Sequence, residues 1–358
     1  MLGLFYIPRP VPGTCLSLEW LGMISSSTKK WRLFRSWAGG HPMWCAWQLT
    51  YRCNFRCRFC NYWASPNRPE DEPTVRDYEL GATKLARMGT LLVSLAGGEP
   101  LLRPDVPEIV SAVGRWHFPF LTTNGWLATR ELARDIMKAG LWGVSVSIDY
   151  SDPRRHDHRR GMVGAWEHAW RAVEYFSAAR TYKWQRVNVI AVLMEDNLDE
   201  IEPLIQMSAK HNAYFMVQPY GQLKTGSPTF VHNNGPVSPR LVELRQKYPN
   251  FLSNATYLSR FDQFHAGGIP GCRAGSAFFN IDETGDVSIC VENRHRSVAN
   301  LYRDSMWVIH RRLHEAAVGN TCKKCWYNCR GETEMLYDPV GLVRSLPTLF
   351  LDRGAARK

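Results

Sequence analysis

The sequence predicts an α/β fold of parallel strands, either an open sheet or a barrel, with a small cysteine-rich α+β region after it. Three observations lead there. Short apolar runs alternate with helical stretches from about residue 46 to 220, the alternation stops at Gly221, and cysteines crowd at 53–60 and 272–329. Candidate strands are 46–51, 91–96, 118–122, 143–148, 187–193 and 213–218, and helical patterns at 75–88, 106–116, 129–139, 165–179 and 198–211 lie between them. Six strands with intervening helices imply right-handed βαβ crossovers. The expected division is an N-terminal basic and aromatic extension (1–44), an α/β core (45–220), a linker (221–270) around one helical piece at 238–247, and a cysteine-rich domain with a basic tail (271–358). That last region is patterned too weakly to fold without metal.

Composition excludes several classes. With 45% hydrophobic and 22% charged residues over 358 positions, the chain is not globally disordered. The charge balance, 44 − 33 = +11, suits an acidic partner. Basic residues are scattered in pairs (Arg154-Arg155, Arg159-Arg160, Arg311-Arg312) with no RNA-binding module, so nucleic acid is not the expected partner. No apolar run approaches the ~18 residues of a membrane span, and Pro8, Arg9 and Pro10 interrupt the apolar start, which excludes a secretory signal. Trp31, Phe34 and Trp37 recur three apart with basic residues between them. Such a stripe either packs on the following domain or lets residues 23–40 lie in a lipid headgroup layer. Ten cysteines in a chain of this size, tightly clustered, point to metal or iron–sulfur ligation in a reducing cytoplasm instead of a disulfide framework.

Cys53, Cys57 and Cys60 follow the first strand at CxxxCxxC spacing. Three thiolates can hold three irons of a cubane and leave the fourth open to another ligand. Structural zinc, with His41 or Cys45 as a further donor, is the competing reading. Motifs then recur at successive strand ends: Gly97-Gly98-Glu99-Pro100, Thr122-Thr123-Asn124-Gly125, Ser147-Ile148-Asp149, and His156-Asp157-His158-Arg159-Arg160-Gly161 in a following polar loop. Strand C-terminal ends are where α/β folds build sites. Over residues 46–220 this pattern resembles the radical S-adenosylmethionine (SAM) enzymes. The resemblance implies a partial (β/α)6 TIM-like barrel and a SAM-binding 4Fe-4S cluster on Cys53, Cys57 and Cys60. It further implies that Gly97, Gly98, Glu99 and Pro100 hold the SAM amino group, and that Thr123 and Asn124 belong to the same site. Ser147 and Asp149 fall at the ribose and Arg160 near the SAM carboxylate.

Cys272, twelve residues, Gly285, four residues and Cys290 frame a predicted hairpin with its turn at 283–286; Cys322, Cys325 and Cys329 follow as CxxCxxxC. This resembles the SPASM or twitch auxiliary-cluster domain of many radical SAM enzymes. Two cubanes need eight thiolates and five are present, so one auxiliary 4Fe-4S cluster is implied. Cys272, Cys290, Cys322 and Cys325 are the expected ligands, with Cys329 able to replace one. Structural zinc is the alternative. Cys15 and Cys45 read as ordinary thiols.

The resemblance implies reductive cleavage of SAM to a 5′-deoxyadenosyl radical, fed by a donor such as flavodoxin or ferredoxin, and hydrogen abstraction from a small-molecule, lipid-like or peptide substrate. The auxiliary cluster would then assist oxidation or bond formation. About 45 residues precede the first strand, short for a leader-peptide-binding module. Gln218 and Tyr220, at the sixth strand's end, are candidate substrate contacts. An RNA-modifying enzyme and a zinc-stabilised binding protein are the alternatives. The expected location is cytoplasmic, with peripheral contact at the inner membrane surface through residues 23–40.

Overall fold

The computed structural model describes residues 25–338 apart from 65, 66 and 90, so Cys15 and the basic tail lie outside the described residues. Six strands, β1 (Trp44–Thr50), β2 (Leu92–Gly97), β3 (Phe118–Thr123), β4 (Gly143–Ser147), β5 (Arg186–Leu193) and β6 (Tyr214–Pro219), each run parallel to the next in chain order. The helices between them are α2 (Val75–Leu85), α3 (Val106–Gly114), α4 (Arg130–Lys138), α5 (Pro153–Arg160), α6 (Ala165–Ala178) and α7 (Ile201–Lys210). The result is the expected partial (β/α)6 barrel.

Period-two alternation sorts the strand residues into two faces. Trp47, Leu49, Val93, Leu95, Leu121, Val144, Val146, Val187, Val189, Phe215 and Val217 are buried in the core. The other face carries small side chains, Ala46, Ser94, Ala96, Ser145 and Ser147, and polar Gln48, Asn188 and Gln218 among larger apolar ones such as Trp44, Phe118, Phe120 and Met216. Closed barrels fill this space with branched residues. Here the small residues leave the lumen hollow.

The sheet does not end at β1. β7 (Phe278–Ile281) pairs parallel to it, and β8 (Asp286–Ser288) and β9 (Ala299–Asn300) continue antiparallel, giving nine strands in the order β6-β5-β4-β3-β2-β1-β7-β8-β9. The cysteine-rich region is therefore joined to the core by backbone hydrogen bonds. The expected hairpin is β7–β8, with Gly285 at φ +85° in its turn.

The stretch 221–270 carries more structure than a linker. It holds α8 (Ser238–Lys247), α9 (Ala255–Leu258) and α10 (Phe261–Gly267), and buries Phe251, Tyr257, Leu258 and Phe261. Phe215 N–H donates to Asn250 O and Leu252 N–H to Phe215 O, so the segment covers the free edge of β6. The Gly, Pro and Asn clusters are turns between packed pieces. Helices α11 (Met306–Val318) and α12 (Asn328–Glu334) complete the C-terminal part.

Helix α1 (Ser26–Ala38) is capped by Ser25, whose hydroxyl accepts from Thr28 N–H. It docks through its polar face. Lys29 Nζ donates to the carbonyls of Gly114 and His117, and Arg32 donates to Ala86 O, which places cations at the C-terminal ends of α3 and α2. Burial lowers the Lys29 ammonium to about 8. The aromatic stripe points away from this contact: Trp31 is 60% and Phe34 45% exposed, and their rings stack. Only Trp37 turns inward, donating its indole N–H to Leu336 O at 3.1 Å.

Candidate active site

The loop after β1 bears Cys53, Cys57 and Cys60, and backbone contacts with two later segments fix it. Gly98 N–H donates to Thr50 O (2.7 Å), Glu99 N–H to Arg52 O (2.8 Å) and Arg58 N–H to Arg159 O (3.1 Å). The glycines are required by this contact. A Cβ on Gly97 would fall 2.1 Å from Thr50 O, and one on Gly98 2.1 Å from Arg52 O. Gly97 also holds φ +128°.

All three thiols face one cavity of about 790 Å³, shared with Gly97, Gly98, Thr123, Asn124, Ser147 and Arg160. Their sulfurs feel one another. Burial pushes Cys53 up to about 11 and Cys57 up to about 12, with Cys60 adding to both and Arg160 opposing. A buried cluster of protonated thiols with a guanidinium alongside suits a group that displaces thiol protons on binding. The donor set, three cysteines with no histidine among the described lining residues, fits a cubane with one open iron. The zinc alternative loses its further donors: Cys45 is buried on the helix-covered face of β1, and His41 Nδ1 sits 3.0 Å from His310 Nε2.

Two expected SAM contacts occupy different places. Glu99 is buried and accepts from Thr123 Oγ1 (2.7 Å), Asn124 N–H (2.7 Å) and Leu101 N–H (2.9 Å). It holds the end of β3 in place, and one oxygen retains a single unfilled lone-pair site. Pro100 is buried at the start of the short turn that follows. Asp149 is likewise buried. Its Oδ2 accepts from Arg160 Nε (2.8 Å) and Nη2 (2.7 Å), and its Oδ1 from Val192 N–H (2.9 Å). Asp149 therefore lies behind Arg160, and Arg160 faces the cavity and the Phe59 ring. Asn124 donates to Asn54 Oδ1 (2.9 Å), tying the end of β3 to the cysteine loop.

The expected polar loop at 156–161 falls largely within helix α5, started by Asp152, whose side chain accepts from Arg155 N–H. His156 is buried beneath it, and Asp149 N–H donates to its Nδ1. Burial holds this imidazole well below its usual range, so it is neutral. Its polar neighbours in sequence concealed that inward face.

Gln218 and Tyr220 both line the cavity, with the Tyr220 hydroxyl against Thr225 (2.6 Å) and Ser227 O (3.1 Å). Several lining residues carried no motif to announce them. Gln48 and Asn188 come from the lumen face of the strands; Lys224, Arg245 and Asn254 come from the segment after β6; and Asn328 and Glu332 come from α12, beside Cys329 of the CxxCxxxC motif. Strand alternation was the available signal for the first pair. Burial raises Glu332 to about 7, while Asn254 N–H donates to its carboxyl.

Among the second set of cysteines, the strongest mutual effects run among Cys272, Cys290, Cys325 and Cys329. Burial is the first cause at each, and it carries Cys290 to about 11 and Cys329 to about 12. Arg330 braces this group, donating to Cys325 O (2.8 Å), Ile269 O (2.6 Å) and the Glu334 carboxylate. Cys322 lies in the preceding loop, its N–H donating to Asn320 Oδ1 (3.1 Å).

Comparison with known proteins agrees with this geometry. Residues 47–207 match the radical SAM superfamily. The chain is 31% identical over 182 residues to an AdoMet-dependent heme synthase of Methanosarcina barkeri, covering 49% of this chain and 51% of that protein, so it spans about half the length of that relative. It is 26% identical over 312 residues to the mycofactocin maturase MftC of Mycolicibacterium smegmatis, covering 81% and 77%. In fold it is similar to Streptococcus suis SuiB bound to S-adenosylmethionine, with TM-score 0.61, 18% identity and coverage of 78% and 66%. It is also similar to anSMEcpe with bound AdoMet, with TM-score 0.60, 14% identity and coverage of 86% and 98%.

Proposed function

We propose that this chain, whose residues 47–207 match the radical SAM superfamily, is a radical SAM enzyme of maturation or biosynthesis that reductively cleaves SAM and abstracts a hydrogen atom from a substrate held in the barrel lumen. The observation that carries this reading is the shared cavity: Cys53, Cys57 and Cys60 face the same space as the ends of β2, β3 and β4. When bound, the cluster and SAM supply the 5′-deoxyadenosyl radical. The chain's own residues supply placement. Cys53, Cys57 and Cys60 would hold the cluster, Arg160 would offer a guanidinium to the SAM carboxylate and Ser147 a hydroxyl to the ribose, while Glu99 aligns Thr123 and Asn124. Trp44, Phe118 and Trp142, at the N-terminal ends of the strands, line the far end of the same cavity with apolar surface.

Cys272, Cys290 and Cys325, with Cys322 or Cys329 as the fourth ligand, would hold one auxiliary 4Fe-4S cluster. A peptide substrate is favoured by the relatives, since SuiB has been solved bound to the precursor peptide SuiA. The electron comes from a low-potential donor such as flavodoxin or ferredoxin. Peripheral membrane contact through α1 is supported by exposed Trp31 and Phe34. No helix among the described residues is long and apolar enough to cross a membrane.

The test is anaerobic incubation of reconstituted protein with SAM and dithionite, reading 5′-deoxyadenosine. Native protein forms it and Cys57→Ala does not. Cys290→Ala retains cleavage but loses substrate turnover. Native protein that carries iron–sulfur clusters yet never yields 5′-deoxyadenosine refutes the proposal. Vesicle co-sedimentation of native protein and Trp31→Ala/Phe34→Ala checks the membrane contact, and equal partitioning removes it.

A further inference from the structure

Between the two cysteine groups stands a lysine that no motif announced. Lys224 follows β6 on a short turn. Its side chain is 20% exposed, and it lines the cavity that Cys60 and Cys329 also face. Nζ donates to the Tyr62 hydroxyl at 2.6 Å, lies 3.9 Å from the centre of the Tyr62 ring and 5.6 Å from that of Tyr327, and pairs with the Glu292 carboxylate at 2.9 Å. These partners come from both cysteine segments. Tyr62 sits two residues after Cys60, Glu292 two after Cys290, and Tyr327 midway between Cys325 and Cys329. The Glu292 carboxylate at 2.9 Å and the faces of the Tyr62 and Tyr327 rings favour the ammonium form.

Aryl groups on two sides and a cavity on the third make a low-dielectric setting in which a fixed charge acts over a longer range than in water. Nζ stands in the cavity that Cys60 and Cys329 both line, and its contacts Tyr62, Glu292 and Tyr327 each lie two residues from a cysteine of one group or the other. Reducing a cysteine-ligated cluster adds one negative charge to an anionic group. A cation nearby favours that step, and net charge is among the determinants of cluster potential.

We infer that Lys224 is a shared counter-ion of the two cluster sites, a positioning residue that raises the reduction potential of both, with Glu292 as the opposing charge on the auxiliary side. The inference rests on the reading that both cysteine groups hold clusters. Placed in the wall between them, the pair lets one charge set how readily each site takes up an electron.

The experiment is an EPR-monitored redox titration of the reconstituted full-length protein with SAM present. Lys224→Met should shift both midpoint potentials to more negative values at unchanged iron content. Lys224→Arg should stay near native. Glu292→Gln, which removes the opposing charge and keeps the lysine, should shift the auxiliary potential upward, and it covers the case in which Lys224→Met fails to fold. Lys224→Met with two clusters at native potentials, or Glu292→Gln with no upward shift, overturns the inference while the cluster assignment stands. Native protein that binds no cluster overturns both, and iron analysis separates that outcome from the others.

Discussion

Substituting Asp149 by Asn leaves the Arg160 guanidinium buried without its counter-charge. The pair is almost out of reach of water, with side-chain exposures of 9% for Arg160 and 0% for Asp149. Both contacts, at 2.8 and 2.7 Å, converge on one carboxylate oxygen. Asparagine keeps an oxygen for Val192 N–H but turns an amide NH2 toward the two Arg160 donors, so the charge and both acceptor contacts are lost together. Breaking a buried pair on one side costs about 3–5 kcal/mol, a large part of the ~5–15 kcal/mol of a typical domain. Arg160→Met should cost a similar amount, because it strands the carboxylate. The double variant Asp149→Asn/Arg160→Met removes both charges and should be more stable than the sum of the single effects by about 2–3 kcal/mol. The assay is anaerobic urea unfolding of all four proteins, with SAM affinity measured alongside. Affinity should fall in both Arg160 variants, and in Asp149→Asn because the guanidinium is no longer aimed. Single costs below about 1 kcal/mol, or costs that add to within about 0.5 kcal/mol, would refute the claim that Asp149 serves the site through Arg160.

Two other expectations follow from local geometry. A Cβ on Gly221 would lie 2.1 Å from the Tyr327 hydroxyl, so Gly221→Ala should displace the segment bearing Cys325 and Cys329. Iron content should fall from about eight toward about four per chain while SAM still perturbs the remaining cluster's EPR signal. His117 is buried, donates from Nε2 to Ala82 O (2.9 Å) and accepts from Leu91 N–H (3.2 Å), and burial lowers it to about 4. The unfolded chain takes up this proton below about pH 6.5 and the folded chain does not. Stability is therefore complete above that pH and declines as pH falls toward 4, by about 3 kcal/mol in all. His117→Gln should flatten that slope in urea unfolding between pH 4 and 7.

The core was legible because its signals are local. Alternating apolar residues marked each of the six parallel strands, and the cysteine and glycine motifs fell at their C-terminal ends, which the structure brings to one cavity. Glu99 and Asp149 sit one step behind their expected posts because a carboxylate reads the same in sequence whether it faces a ligand or orders its neighbours. Helix α5 escaped notice because Pro153–Arg160 is polar throughout, and its only buried members are His156 and Arg160. The fold of 221–270 depends on Phe251, Tyr257 and Phe261 reaching the β6 edge, and no short-range period records a contact of that kind. Lys224 is the extreme case. Its partners Tyr62, Glu292 and Tyr327 lie far from it along the chain and meet only in the finished molecule.

The pairing of β1 with β7 has a bearing on how the chain is made. β1 is complete by Thr50, but the strand that covers its outer side ends at Ile281. During synthesis at about 5–20 residues per second, a ribosome-bound intermediate exposes an unpaired edge for ten seconds or more. Bare edges recruit other strands, so this interval is when aggregation competes with maturation. Fragments ending before residue 278 should accumulate as inclusion bodies unless a chaperone shields that edge.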